Sequence, residues 1–435
     1  MNFKSEFELL EFAKGLIGKR FKDLDTFNLL SNEKSNKGKG ILGQLVESGF
    51  FGYESNNRPE ADFKDLGIEL KVSGLKRLNS GKLVPKERLV LSKIDYNELI
   101  DEDFELSKFL FKNRKILMVW YEYDKKLSRS EMTIQKVHII DLTKDLKIIK
   151  NDFNEIKKKV LKGQAHLLSE GDTMFLGACT KAANSKKLVS QPNSKIKAKP
   201  RAYSLKLSFM NGILNQKGQD EIDFMDILDF VEEKLKPYVG MKQLDIAKKI
   251  GLKISGKIPK NLNKILTDKI IGRDSYLKSL NIFGKSNYII KNMPVDESNY
   301  PLERMSFRNL VLSEFKEPFD NSDWKIFFEE VTIIVLLYKG DSKSVNGERT
   351  LIGAKKLYFT DNDLEKIKLS YNRVKQTIEK KDVMLLPFPN SFKDQILEIA
   401  PKGLKGADAY NNFLKLNHTK VCFMLNKNFV KLKIN

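Results

Sequence analysis

Apolar positions along the first half of the chain fall into two rhythms, one helical and one strand-like, separated by short polar stretches. The opening segment MNFKSEFELLEFAKGLIGKRF has helical spacing and predicts an amphipathic helix near 4–17, with Phe7, Leu10, Phe12 and Leu16 available for one face. A second helix is expected at 40–50 and strands at 67–73 and 88–92. The run KILMVWYEY (115–123) is continuously apolar, which marks a buried central strand, and KVHIIDL (136–142) alternates enough to be the next one. A helix at 151–163 and strands at 173–180 and 201–208 follow. This mixture predicts an α/β or mixed α+β fold, a sheet with helices on its faces.

The pattern is then written a second time. LLSEGDTMFLGACTKAANSKKL (167–188) is echoed by LLPFPNSFKDQILEIAPKGLKGADAY (385–410), which sets Lys181 against Lys402, 221 residues on (402 − 181). Tyr203 pairs with Phe423, Gly52 with Gly272 and Lys71 with Lys291, each 220 residues on (423 − 203, 272 − 52, 291 − 71). Four weak matches in one order at nearly one offset point to duplication. The expected organisation is a first domain at 1–215, a linker at 216–239 where the chain turns polar and acidic, and a second domain at 240–435.

Charge narrows the class of partner. The chain carries 78 Lys plus Arg against 57 Asp plus Glu, a formal net charge of +21, and a surplus of that size attracts polyanions. Nucleic acid is the first candidate, an anionic membrane surface or acidic protein the second, and a Lys- and Asn-rich coding bias accounts for part of the surplus. No run of about 18 apolar residues indicates a membrane span. The charged N-terminus is unlike a signal peptide. Two cysteines and three scattered histidines exclude a disulfide framework and a zinc cluster, so a cytoplasmic protein is expected.

The densest chemistry lies in RPEADFKDLGIELKVSG (58–74). Glu69 and Lys71 are two apart on a strand and share a face, while Ile68, Leu70 and Val72 take the other. Asp62 adds a carboxylate seven residues upstream of Glu69, and Glu47 on the preceding helix is a candidate third acid, ranked above Asp65. Phosphodiester hydrolysis uses these groups: carboxylate oxygens for Mg²⁺, and a lysine to orient water and offset charge on the phosphorus. Alone, the spacing equally describes an amphipathic edge strand with a solvated Glu–Lys pair. The second copy shifts the balance, because Ile289 stands at the Glu69 position, Thr267 at the Glu47 position, and SYLKSLNIFGKSN (275–287) replaces the Asp62 region without a carboxylate.

Read as motifs, KGILGQLVE (39–47), DFKDLGIELK (62–71), KAAN (181–184) and YSLK (203–206) resemble, in order, the signature of the MutH family and the related type II restriction endonucleases that cut at GATC. The resemblance implies a restriction-endonuclease-like PD-(D/E)xK fold, present twice as tandem MutH-like domains, the second degenerate and inactive. It implies catalytic positions for Asp62, Glu69, Lys71 and Glu47, with Asp62 and Glu69 as metal ligands and Mg²⁺ as cofactor. Lys181 and Tyr203 fall where the family touches DNA. The two-copy layout favours a restriction enzyme over a MutH-type repair nickase, with a non-cutting regulatory protein as the further alternative. The implied partners are double-stranded DNA containing GATC, a second copy of the chain on that DNA, and a cognate DNA methyltransferase as a system partner without physical contact.

The basic segment 181–206 suits DNA on its own chemistry. Lys181, Arg201 and Lys206 can meet phosphates or guanine, and Asn184 can read adenine. Within it NSKIKAKPR is expected to be a solvated loop that orders on DNA. In the second copy Lys402 and Lys405 are the corresponding candidates.

Overall fold

A computed structural model describes residues 2–31, 40–53, 60–78, 80–181, 187–341, 346–402 and 406–435. The chain divides into two compact units, the first Met1–Leu168 with Thr173–Lys217, the second Ser169–Asp172 with Gly218–Asn435. Each is a mixed α/β body. No helix among the described residues is long and apolar enough to cross a membrane.

In the first unit, β1 (Ile68–Arg77), β2 (Leu83–Pro85), β4 (Lys115–Glu122) and β5 (Ile134–Asp141) form a sheet of order β2-β1-β4-β5, and β3 (Leu89–Lys93) belongs to another. β1 and β4 run parallel, from Ile68 opposite Lys115 to Leu75 opposite Glu122, while β2 and β5 are antiparallel edges. Ile116 to Trp120 are all fully buried because β4 is covered on both faces, which is why its sequence is unbroken apolar rather than alternating. Beneath one face lie Leu9, Ala13, Leu16, Phe21, Leu45, Val46 and Phe51. The second sheet has the order β3-β9-β6, with β6 Leu176–Thr180 and β9 Arg201–Leu205.

Several elements differ from expectation. Helix α1 (Glu6–Lys14), capped by Ser5, buries Leu9 and Ala13 one turn apart, followed by Leu16, whereas Phe7 is 74% exposed. The helix expected at 40–50 is a short α-turn, Ile41–Gln44, running into a π-helical turn, Leu45–Phe50. A Cβ on Gly49 would lie 1.9 Å from the Leu24 carbonyl oxygen, so only glycine lets this wide turn pack there. The strand at 201–208 stops at Leu205, and Leu207–Leu214 is helical. NSKIKAKPR is not a loop: β7 (Val189–Gln191) and β8 (Ser194–Ala198) form a hairpin. It is held down by Gln191, whose Oε1 accepts from Ala165 N (2.7 Å), and by Asn193, which donates to Leu161 O (2.9 Å).

The second unit repeats the plan. β10 (Tyr288–Val295) pairs in parallel with β12 (Thr332–Lys339), and β13 (Thr350–Leu357) lies antiparallel on its far side. β11 (Met305–Val311), β15 (His418–Leu425) and β14 (Leu397–Pro401) form the second sheet, order β11-β15-β14. The sequence offset reappears in the register. Leu176 faces Leu205 in one unit and Leu397 faces Leu425 in the other, 221 and 220 residues on (397 − 176, 425 − 205). The segment expected as a linker is largely folded: Ile227–Leu235 is a helix burying Ile227, Phe230, Val231 and Leu235 within the second unit.

Candidate active site

The site is assembled by a fold-back immediately before β1. Phe63 and Ile68 exchange backbone hydrogen bonds (2.9 and 3.3 Å) around the 3₁₀ turn Lys64–Leu66. The turn closes through Gly67 at φ 63°, a left-handed conformation that costs a side-chain-bearing residue energy. This reversal brings Asp62 alongside the strand it precedes, where its Oδ2 accepts the N–H of Leu70 (2.8 Å). Asp62 and Glu69, seven apart in sequence, thereby become neighbours.

Glu69 is 2% exposed, an unusual depth for a carboxylate. Its Oε1 receives Lys71 Nζ, and Lys112 Nζ lies 3.6 Å from the same oxygen. Its Oε2 is buried without a hydrogen-bond partner. Burial pushes the Glu69 carboxyl above the usual range and the Asp62 charge adds to this, while Lys71 and Lys112 oppose it. A solvated edge-strand pair would show none of this depth. The expected face assignment holds: Ile68 and Leu70 enter the core, and Val72 packs against it.

A buried carboxylate oxygen with no donor, beside a second carboxylate and with no imidazole or thiol in the set, is hard-oxygen chemistry that suits a divalent cation. Mg²⁺ keeps much of its water and asks only one or two protein carboxylates. Asp62 and Glu69 fit that demand. Glu47 is different. It sits half-buried in the π-helical turn, where its carbonyl accepts Tyr53 N (3.0 Å), and among the described residues no three His, Cys, Asp or Glu side chains converge as a metal cage.

Lys112 was not foreseen. It lies on the helix Lys108–Asn113, which leads directly into β4. Because Ile68 is level with Lys115, the residues just before β4 arrive at the same end of the sheet as Glu69. Only that register reveals it, for nothing in the sequence around Lys112 resembles a motif.

The residues expected on DNA separate sharply. Lys181 is exposed at the end of β6. Asn184 lies outside the described residues, as does Lys405. Arg201, Tyr203 and Lys206 are buried, at 3%, 3% and 2% exposure. Arg201 donates to the carbonyls of Ala178 (2.6 Å) and Leu168, and Lys206 to that of Thr173. Tyr203 packs between Phe109 and Phe153, at centroid distances of 4.9 and 5.6 Å. In this structure all three tie β9 to its surroundings rather than face solvent. Lys402 is exposed after β14 and donates to Phe307 O (3.1 Å).

At the corresponding place in the second unit, Ile289 packs against the core and Thr267 Oγ1 donates to Asn292 Oδ1 (2.9 Å). Lys291 donates to Ser306 O (2.7 Å). The strand pair is the same; the carboxylates are gone.

The chain is similar to known DNA-acting enzymes. A family model described as DNA mismatch repair enzyme MutH matches residues 51–152, which include Asp62, Glu69, Lys71 and Lys112. The chain is 31% identical over 362 residues to the type II restriction enzyme Sau3AI of Staphylococcus aureus, covering 77% of this chain and 72% of that protein. It is 29% identical over 216 residues to the DNA mismatch repair protein MutH of Vibrio campbellii, covering 48% of this chain and 93% of that protein. For the MutH of Shewanella baltica (strain OS185) the figures are 28% over 214 residues, 48% and 94%.

Proposed function

Because the chain belongs to the MutH-like family of restriction endonucleases and is a site-specific deoxyribonuclease, we propose that it cuts both strands of DNA at GATC with Mg²⁺, leaving 5′-phosphate ends. The observation that carries the metal and site assignment is Glu69: a deeply buried carboxylate with one oxygen unsatisfied, flanked by Asp62 and two lysines.

Asp62 and Glu69 would hold the cation, which when bound polarises the phosphoryl oxygen and eases deprotonation of water. The Asp62 carboxylate is fixed against β1 by the Leu70 N–H (2.8 Å). Lys71 orients the attacking water, and Lys71 and Lys112 set two positive charges where negative charge gathers on phosphorus. Water attacks in line, the P–O3′ bond breaks, and the 3′-oxygen leaves as a hydroxyl. Glu47 is proposed to support the site from the π-helical turn rather than to complete a cage. Lys181 and Asn184 are proposed to contact DNA.

The restriction reading is favoured over a repair nickase by coverage, since the MutH proteins match about half of this chain whereas Sau3AI matches most of it. The second unit is proposed to be a catalytically silent DNA-binding copy. Digesting unmethylated and adenine-methylated plasmid with and without Mg²⁺, then mapping the ends, tests target, cofactor and product together. Ends at GATC with 5′-phosphates are expected. Glu69→Ala and Asp62→Ala should abolish cleavage and leave duplex binding largely intact, and near-normal cutting by either variant would overturn the site.

A further inference from the structure

The silent copy has reversed the sign of its site. In the first unit the strand position of Glu69 and Lys71 combines carboxylates with lysines, so a phosphate approaching the carboxylates needs a cation between them. In the second unit Ile289 removes the negative charge, and the uncharged Thr267 hydroxyl lies between Asn263 O (2.8 Å) and Asn292 Oδ1 (2.9 Å). What remains is Lys291 on β10, joined by Lys402 from the end of β14. Their ammonium groups are seated on consecutive carbonyls of one strand, Ser306 O (2.7 Å) and Phe307 O (3.1 Å) of β11. Burial lowers the Lys291 pKa, and the Lys402 charge adds to this. Among the described residues neither lysine is paired with a carboxylate; the neighbouring thiol is Cys422, itself buried.

Two ammonium groups anchored on neighbouring carbonyls of one strand, with no carboxylate paired to either among the described residues, form a cationic pair that one anion can bridge. We propose that Lys291 and Lys402 form a metal-independent clamp for one phosphodiester of duplex DNA, occupying the place where the first unit uses carboxylates and a cation. This rests on the reading of the second unit as a DNA-binding copy. Each ammonium has three N–H donors, and one is committed to a β11 carbonyl, so both can still donate to non-bridging phosphate oxygens. With no carboxylate to hold a cation or take a proton from water, the clamp holds a phosphate and cannot cut it.

The test uses the full chain, a fluorescent GATC duplex, and EDTA throughout, so that nothing is cleaved. Anisotropy is measured across a series of salt concentrations for wild type, Lys402→Gln, Lys291→Met and the double variant. The slope of log K against log salt should fall by about 0.9 in the double variant, the value of one lost phosphate contact. Lys402→Gln alone, at the exposed end of a strand, should give part of that loss with unchanged circular dichroism and melting temperature, and Lys291→Arg should restore binding. An unchanged slope in a folded double variant overturns the clamp, as does failure of the wild type to bind DNA in EDTA. So does a melting shift produced by inorganic phosphate, relative to chloride at matched ionic strength, that the double variant loses while its DNA slope stays unchanged. Cleavage at GATC with Mg²⁺ is scored separately. A cutting enzyme with an unchanged slope sinks only the clamp, and a non-cutting one whose slope still falls sinks only the nuclease reading.

Discussion

At the scale of single residues, two glycines and one lysine carry the sharpest tests of the proposed site. A Cβ added at Gly67 would meet no heavy atom within 4 Å beyond its chain neighbours, so Gly67→Ala meets only the strain of a positive φ, a cost of ~1–2 kcal/mol. Its larger effect should be on Asp62, because the turn at Gly67 is what returns that carboxylate to β1; a fall in kcat out of proportion to the melting shift is expected. Gly49→Ala must instead displace the Leu24 backbone, so its effect should appear first in thermal melting, with a loss at or above the ~3 kcal/mol of a severe overpacking change. Lys112 is the sharper case. If it acts as a second cation at Glu69, Lys112→Met should lower kcat by roughly 10- to 100-fold with little change in DNA affinity. Wild-type kcat in a folded Lys112→Met enzyme would reduce that lysine to a bystander.

At the scale of elements, the central sheet carries its own pH dependence. His138 on β5 lies beside Trp120 on β4 and accepts its indole N–H (3.2 Å), and burial lowers its pKa to about 4 from an ordinary 6.5. The unfolded chain then binds the proton first, so this residue's contribution is complete above pH 6.5 and is lost as pH falls toward 4. The loss amounts to ~2 kcal/mol by pH 5. Asp152, whose carboxyl burial pushes up to about 6, works in the opposite direction. The informative quantity is therefore the stability difference between wild type and His138→Gln followed from pH 8 to pH 5. It should drift in favour of the variant on acidification, and a flat difference would contradict the assignment. Elements such as β4 were legible in the sequence because burial on both faces writes an unbroken apolar run, and Glu69 and Lys71 because strand alternation sets them on one face. The paired offsets were legible for the same reason: each copy needs the same strands. Lys112 was illegible because its place depends on parallel register across 43 residues (112 − 69). The burial of Arg201, Tyr203 and Lys206 was illegible because a basic stretch argues for surface, while here backbone carbonyls hold Arg201 and Lys206 and two phenylalanine rings hold Tyr203. The helix Ile227–Leu235 was missed because its acidic flanks outweighed a short apolar face.

At the scale of the whole molecule, one equipped site per chain meets a target with two strands. The first unit has Glu69 where the second has Ile289, so on the proposed site assignment a single encounter supplies one hydrolysis. A palindromic site is matched most directly by two copies related by a two-fold axis, each cutting one strand. The +21 charge favours fast capture of DNA but opposes the meeting of two such chains in free solution, so assembly should follow DNA binding, where phosphates screen the repulsion. On a supercoiled plasmid with one GATC site, dilute enzyme should therefore accumulate nicked circles before linear product, and the rate of linearisation should rise more steeply than in proportion to enzyme concentration. Adding a short, uncleaved GATC duplex separates two roles for the second unit. If that unit licenses the first by binding its own DNA, the duplex should accelerate cleavage before it competes; if it serves only to pack two chains together, the duplex should inhibit from the lowest concentration. Strictly first-order dependence on enzyme, with both strands cut at equal rates and no nicked intermediate, would mean that one chain completes both hydrolyses and that no second copy is needed.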